Sequence, residues 1–305
     1  MKPILIIVSL LLLTRFINGI DYALPYLTFG GSPSYYLSNQ AFSNNGFGIL
    51  ENDAHRVSVS RFNVGVFHTT LYESLMANSA VISVHFNKTS ASLSAIRIAE
   101  TNMNKTSIDT SLPDNPFRVS GTYNYQNSVA KLSVNHSFND RLTLGAGVNA
   151  YITSLDSDSG TGFDGSLGAI LNGKWIDMSL SLHNITQRNV VYNDNSKETL
   201  PRLAIASMDI NPIHWLHIYP RLILINSTYD NKESQLLSCG LSWVPYKYFS
   251  ITGSIYEQQE GLDKDLRFSI GTHINLTGLM ISYAFRTTDY HNHVGSHLIS
   301  LSFGL

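Results

Sequence analysis

The chain has 305 residues, 43% of them hydrophobic and only 14% charged, against the roughly 25% charge of an ordinary soluble domain. Its formal net charge of −2 gives no electrostatic footprint for nucleic acid, which is excluded as a partner. The single cysteine, Cys239, excludes an intramolecular disulfide framework.

The first nineteen residues read "MKPILIIVSLLLLTRFING". Lys2 supplies a short basic start, and Ile4 to Leu13 an apolar run too short to cross a bilayer as a helix. Residues 1–19 therefore read as a secretory signal peptide, and the remainder as an exported protein. No later segment reaches eighteen consecutive apolar residues, so no transmembrane helix is expected. Residues 20–54 are rich in Gly, Ser, Asn and Tyr and carry no sustained period. Such a segment is either a periplasmic tail or a plug folded into a barrel, and its many aromatics favour the plug.

From residue 55 to the end the chain alternates apolar and polar residues with period two. In "LTLGAGVNAYITSL" (142–155), Leu142, Leu144, Ala146, Val148, Ala150 and Ile152 face one way, and Thr143, Asn149, Tyr151 and Thr153 the other. "WIDMSLSLHNI" (175–185) and "DLRFSIGTHINL" (265–276) repeat the pattern. Fourteen strands are expected, near 55–64, 68–86, 89–100, 126–137, 141–155, 162–172, 175–185, 202–211, 215–226, 235–245, 248–257, 265–276, 279–287 and 296–305. Many run to ten residues or more, longer than the usual five or six of soluble sheets.

The connections "FNDR" (138–141), "NGK" (172–174), "PYK" (245–247) and "TG" (277–278) are tight turns. Longer polar loops fall between them: 101–125, 156–162, 186–201, 227–234, 257–265 and 287–296. Tight turns on one side and long loops on the other, with an even strand number, predict a transmembrane antiparallel β-barrel of about 14 strands over 55–305. Closure would remove the open edges that hydrocarbon does not tolerate. Tyr151, Trp175, Trp215, Trp243, Tyr246, Tyr248, Tyr283 and Phe285 are expected in interfacial aromatic girdles. The rival reading is a secreted soluble β-sandwich that binds or adheres. Three irregularities stand out. Pro220 suggests a bulge or kink, "SVAKLSVNHSF" is weakly patterned, and Leu203 with Ile205 suggests an apolar inward face.

No nucleophile elbow or other catalytic signature occurs, so no enzyme is expected. His291, His293 and His297 have spacing that binds a metal weakly at best. No carboxylate or cysteine is tied to them, so a solvated loop, no metal and no cofactor are expected. On the polar faces of the strands lie Asp164, Asp177, His183, Arg221, Arg267, His273 and Arg286. In a barrel these line the lumen, setting selectivity or pairing across it.

"LTLGAGVNAYITSLDSDSGTGFDGSLGAIL", then "LSLHNITQ" followed by "ETLPRLAIA", and the closing "RFSIGTHINLTGLMISYAFRTTDYHNHVGSHLISLSFGL" resemble PorV/PorQ-type outer-membrane proteins, relatives of the FadL channel. In the last passage Tyr283, Ala284, Gly295, His297 and Ser300 carry the resemblance. It covers about residues 120–305. It implies a fourteen-stranded barrel of the bacterial outer membrane with an N-terminal plug. Such a barrel would pass hydrophobic small molecules, or serve a type IX-like protein-secretion pathway by engaging exported proteins. "FGGSPSYY" (29–36) and "NNGFGILEND" (44–53) depart from the family's plug pattern, so its ligand gate is not carried over. The final strand, with Ile299, Leu301, Phe303 and Leu305 on one face, resembles the insertion signal that such barrels present to outer-membrane lipid and the barrel-assembly machinery. The usual terminal aromatic is displaced to Phe303.

Overall fold

The computed structural model describes residues 31–57, 60–72, 75–108, 117–227, 232–260, 263–287 and 295–305. The expected signal peptide, residues 20–30, and His291 and His293 lie outside the described residues. The strands are β1 (Phe62–Tyr72), β2 (Leu75–Phe86), β3 (Thr89–Ile108), β4 (Phe117–Ser137), β5 (Leu142–Leu155), β6 (Asp158–Leu171), β7 (Ile176–His183), β8 (Asn189–Tyr192), β9 (Lys197–Thr199), β10 (Arg202–Ile213), β11 (Leu216–Ser227), β12 (Lys232–Tyr246), β13 (Phe249–Glu260), β14 (Asp263–Leu276), β15 (Leu279–Thr287) and β16 (Gly295–Gly304).

Of these sixteen strands, β8 and β9 form an appended hairpin; the other fourteen pair in antiparallel fashion into one closed ring. β7 pairs with β10, and β1 closes the ring on β16 from Asn63–Gly304 to Thr69–Leu298. A single closed sheet excludes the two-layer sandwich. The proximal end of the barrel is where β1 begins and β16 finishes, with Arg61 N–H donating to the Leu305 carbonyl. The long β3–β4 hairpin and the β8–β9 hairpin lie at the distal end.

Period-two alternation sorts the side chains. Leu93, Leu132, Val148, Phe163, Leu180, Leu241, Ile270 and Leu301 point outward and exposed, while Ser92, Ser133, Asn149, Ser181, Ser242, Ser269 and Ser300 are buried inside. Apolar residues outside and polar residues inside is the inverse of a soluble fold, and suits a wall bathed in hydrocarbon. Trp175, Trp215, Trp243, Tyr246 and Tyr248 are exposed at the proximal strand ends, where amphipathic rings favour a membrane interface. Tyr283 also faces outward, and half-buried Phe285 packs on His297 at 5.4 Å. Tyr151 departs from the expected girdle. It is buried inside, because it shares the parity of Asn149 rather than of Val148.

Several expected boundaries move. Residues 55–57 belong to a segment inside the barrel, and the expected 68–86 strand divides between β1 and β2. Polar stretches expected as loops extend the strands instead. Leu155 pairs with Asp158 across a two-residue turn, and Glu260 pairs with Asp263. Polarity marks where a strand leaves the membrane, not where its ladder ends. Pro220 produces no bulge towards β12, where Tyr219–Gly240, Pro220–Cys239 and Arg221–Ser238 run in register. On its other side the β10–β11 pairing skips from Ser207–Arg221 to Ile210–Ile218, as expected where the donor is missing.

The described part of the inner segment, residues 31–57, holds two single-turn helices, α1 (Pro33–Tyr36) and α2 (Gly48–Glu51), and a 3₁₀ turn (Gln40–Phe42). It is buried along most of its length. Glycines make room for it. A Cβ on Gly145 of β5 would lie 2.1 Å from the Asp53 carbonyl oxygen, and one on Gly168 of β6 would lie 2.0 Å from Asn52 Oδ1. These strand glycines serve close backbone approach.

Candidate functional site: the lumen and its inner segment

The inner segment is bound to opposite walls of the barrel. On one side Lys131 of β4 meets Asp53 at 3.1 Å, both side chains essentially inaccessible. Ser133 Oγ donates to the same carboxylate. Burial opposes the charge on Asp53, but Lys131, His183 and Ser133 outweigh it and hold the carboxyl below its usual range. On the other side Arg221 of β11 meets Glu51 at 3.2 Å, and Ser207 Oγ donates to Glu51 Oε1 at 3.0 Å. The Arg221 guanidinium lies over the Tyr35 ring, 4.4 Å from its centroid, and Arg286 lies over Tyr36 at 5.1 Å. Burial pushes the Tyr35 hydroxyl up to about 12, so it stays neutral beside these cations.

Strand side chains make further bonds to the segment, most of them to its backbone carbonyls. Asn52 Nδ2 donates to Ser179 Oγ at 2.6 Å. His183 Nε2–H donates to the Glu51 carbonyl at 2.8 Å. The Ser254 and Ser269 hydroxyls both donate to the Tyr36 carbonyl, and Ser79 to that of Gly31. A buried segment needs such partners, since orphaned backbone groups are costly.

Towards the distal end the lumen changes character. Leu203 and Ile205 of β10, Ile223 and Ile225 of β11, and Tyr256 of β13 are buried in one apolar cluster with Tyr35. Val190 and Leu200, from the chain between β7 and β10, belong to the same cluster. That connection is tied inward by Asp164, whose carboxylate accepts the Thr186 N–H at 3.0 Å, the Thr186 hydroxyl at 2.9 Å and the Arg188 N–H at 3.0 Å. β8 adds to β6 through Gly160–Tyr192 and Thr161–Val191, and the Tyr151 hydroxyl donates to Asn184 Oδ1.

The seven lumen candidates do not form one cluster. His183 and Arg221 hold the inner segment, and Arg286 stacks on it. Arg267 is buried on the same wall as Arg286. Asp164 anchors the distal connection. Half-buried Asp177 accepts the Gly173 N–H at 2.9 Å near the proximal end. His273 contacts Ser282 Oγ at 2.8 Å. Ile299, Leu301, Phe303 and Leu305 all face outward and exposed. Exposed His297 bonds the Tyr283 hydroxyl at 2.7 Å, and no cluster of three metal-ligating side chains occurs among the described residues. Sequence reasoning missed Lys131, Glu51, Asp53 and the His217–Asp209 pair (2.9 Å). For Lys131 the signal was its parity with Ser133 and Asn135, opposite Leu132 and Val134.

A closed fourteen-stranded antiparallel ring, apolar outside and polar inside, is the architecture of outer-membrane β-barrels. The toluene transporter TodX of P. putida aligns with a TM-score of 0.66 at 8% identity, covering 92% of this chain and 99% of its own. The Ralstonia pickettii toluene transporter TbuX aligns at 0.63 with 10% identity and the same coverage. A Pseudomonas aeruginosa FadL homologue aligns at 0.60 with 11% identity, covering 90% of this chain and 97% of its own. No protein-family model and no curated protein sequence matches the chain. At these identities the likeness is one of fold.

Proposed function

We propose that this chain is a non-enzymatic outer-membrane channel of the FadL type for small hydrophobic molecules, exported by residues 1–19, with the inner segment as its plug. One observation carries the reading. Strands β10 and β11 turn Leu203, Ile205, Ile223 and Ile225 into the lumen, whereas an aqueous pore keeps its interior polar. The apolar patch lies beside a segment held by side chains, so removing that segment would open a path. The structures it resembles include toluene transporters, which supports a channel ahead of the PorV-type secretion role. In this reading the outward face of β16 meets lipid and is the surface offered to the assembly machinery.

The test is uptake of radiolabelled toluene by cells expressing the full chain. Expression should raise the initial rate, deletion of residues 31–57 should raise it further, and Ile223→Asp should abolish the gain while leaving heat-modifiable gel mobility intact. Uptake equal to the empty vector for both the full and deleted chains sinks the channel. Recovery only in the soluble fraction, with no heat shift, sinks the membrane assignment as well.

A further inference from the structure

Charge on the proximal turns is nearly all positive. Lys88 lies in the β2–β3 turn, Arg141 in β4–β5, Lys174 in β6–β7 and Lys247 in β12–β13, and Arg61 stands just before β1. All five are exposed. Asp140 is the one carboxylate in these turns, and among the described residues no ion pair joins it to any of the five. The distal hairpins mix the signs, as the Lys105–Asp156 pair shows. With a net charge of −2, the chain has no excess of base to account for the asymmetry. We propose that these cations form a collar that recruits anionic phospholipids, through their headgroup phosphates, to the proximal leaflet around the barrel. The collar rests on the membrane-barrel reading and not on whether the lumen conducts.

Position favours lipid over a soluble acidic partner. Each of the five cations stands within three residues of an exposed aromatic: Phe62 beside Arg61, Phe86 near Lys88, Phe138 near Arg141, Trp175 beside Lys174 and Tyr248 beside Lys247. Lys174 Nζ lies 5.3 Å from the Trp175 ring centroid, and Lys247 Nζ 4.5 Å from that of Tyr248. Rings that favour a membrane interface fix the depth of these ammonium groups. Long basic side chains there keep their stems on apolar surface and their charges in the headgroup layer, where lipid phosphates lie. A soluble partner would meet the tips of the turns, whereas an ammonium drawn over a girdle ring is turned towards the bilayer. Neighbouring proximal turns are two strands apart, about 10 Å. The cations therefore act on separate lipids, and the collar selects a shell and not a single molecule.

All three tryptophans of the chain, Trp175, Trp215 and Trp243, are exposed in the proximal girdle, so intrinsic fluorescence reports on this leaflet alone. The experiment places the full chain in phosphatidylcholine bilayers holding brominated phosphatidylglycerol, and in the converse mixture with the phosphatidylcholine brominated. Bromine quenches tryptophan on contact, so the two series give the relative affinity of the lipids for the girdle. At about 20 mM salt phosphatidylglycerol should be favoured about fivefold, the effect of one cation near an anionic headgroup. At about 1 M salt the preference should vanish, since charges there are screened beyond about 3 Å. Lys174→Gln/Lys247→Gln should bring the ratio close to one. Lys105→Gln/Lys197→Gln removes the same charge at the distal end and should leave the ratio at the parent value. All four lysines are exposed, and heat-modifiable mobility checks that both variants fold.

Equal affinity of the two lipids for the parent chain overturns the collar. So does a preference that survives high salt or the proximal variant, or one that the distal variant abolishes. Quenching by neither brominated lipid overturns the membrane reading along with the collar, so the two failures are told apart.

Discussion

At the scale of single residues, two ion pairs of similar length carry opposite expectations. Lys131–Asp53 (3.1 Å) is inaccessible, whereas Lys105–Asp156 (2.8 Å) is open to solvent on both sides. Removing one partner of a buried pair leaves a charge without compensation, at about 3–5 kcal/mol. Lys131→Met should therefore loosen the inner segment and lower the thermal midpoint by several degrees. The double variant Lys131→Met/Asp53→Asn should recover most of that loss. Lys105→Ala should change nothing measurable, since exposed pairs are screened. A midpoint unmoved by Lys131→Met would show that the pair does not hold the segment. Lys131 was hard to see in the sequence because Val129, two positions away on the same inward face, is apolar and packs in the lumen. The alternation that exposes Asn149 in β5 is thereby blurred in β4. His183 and Arg221 were legible because their strands alternate cleanly. That each binds the inner segment was not, because contact between residues more than a hundred positions apart leaves no local mark.

At the scale of the strand, most of the barrel was written in the period-two pattern, and the errors share one cause. Alternation reports which face a residue takes, not where a hairpin turns. The run 68–86 continues through the β1–β2 turn, and charged tips such as those of β13 and β14 remain in the ladder. The membrane band is thus shorter than the strands. Outward Val148 lies within β5, whereas outward Val119 lies on the part of β4 beyond the last β5 pairing, Tyr125–Leu155. An arginine on the lipid face costs about 2–4 kcal/mol near the bilayer midplane and about 0–1 kcal/mol near the interfaces. Val148→Arg should sharply reduce the yield of heat-modifiable barrel, and Val119→Arg should leave it near the parent level. Equal yields would place the two residues at the same depth and refute the band drawn from side-chain polarity.

At the scale of the molecule, the inner segment fastens the ring internally, with partners on β2, β4, β7, β10, β11, β13 and β14. Its docking should depend on pH with a definite sign. His55 has a folded pKa near 4, set first by burial, against 6.5 when exposed. The docked state excludes the proton that the undocked state takes up, so docking is fully present above about 6.5 and weakens as pH falls towards about 4. The difference of roughly 2.5 pH units, at about 1.4 kcal/mol each, amounts to about 3 kcal/mol. Asp53 adds to the loss at lower pH, since its carboxyl is held below the ordinary value of 3.8. Limited proteolysis of residues 31–57 should therefore accelerate between pH 6.5 and pH 4, while the circular dichroism of the barrel stays constant because its strands are closed on themselves. A protease that is slower at the acidic end would be allowed for with a denatured chain as reference. A cleavage rate that, so corrected, stays flat across the window would mean that His55 is hydrated in the docked state, and the segment would then be a loosely held tail and not a seated plug.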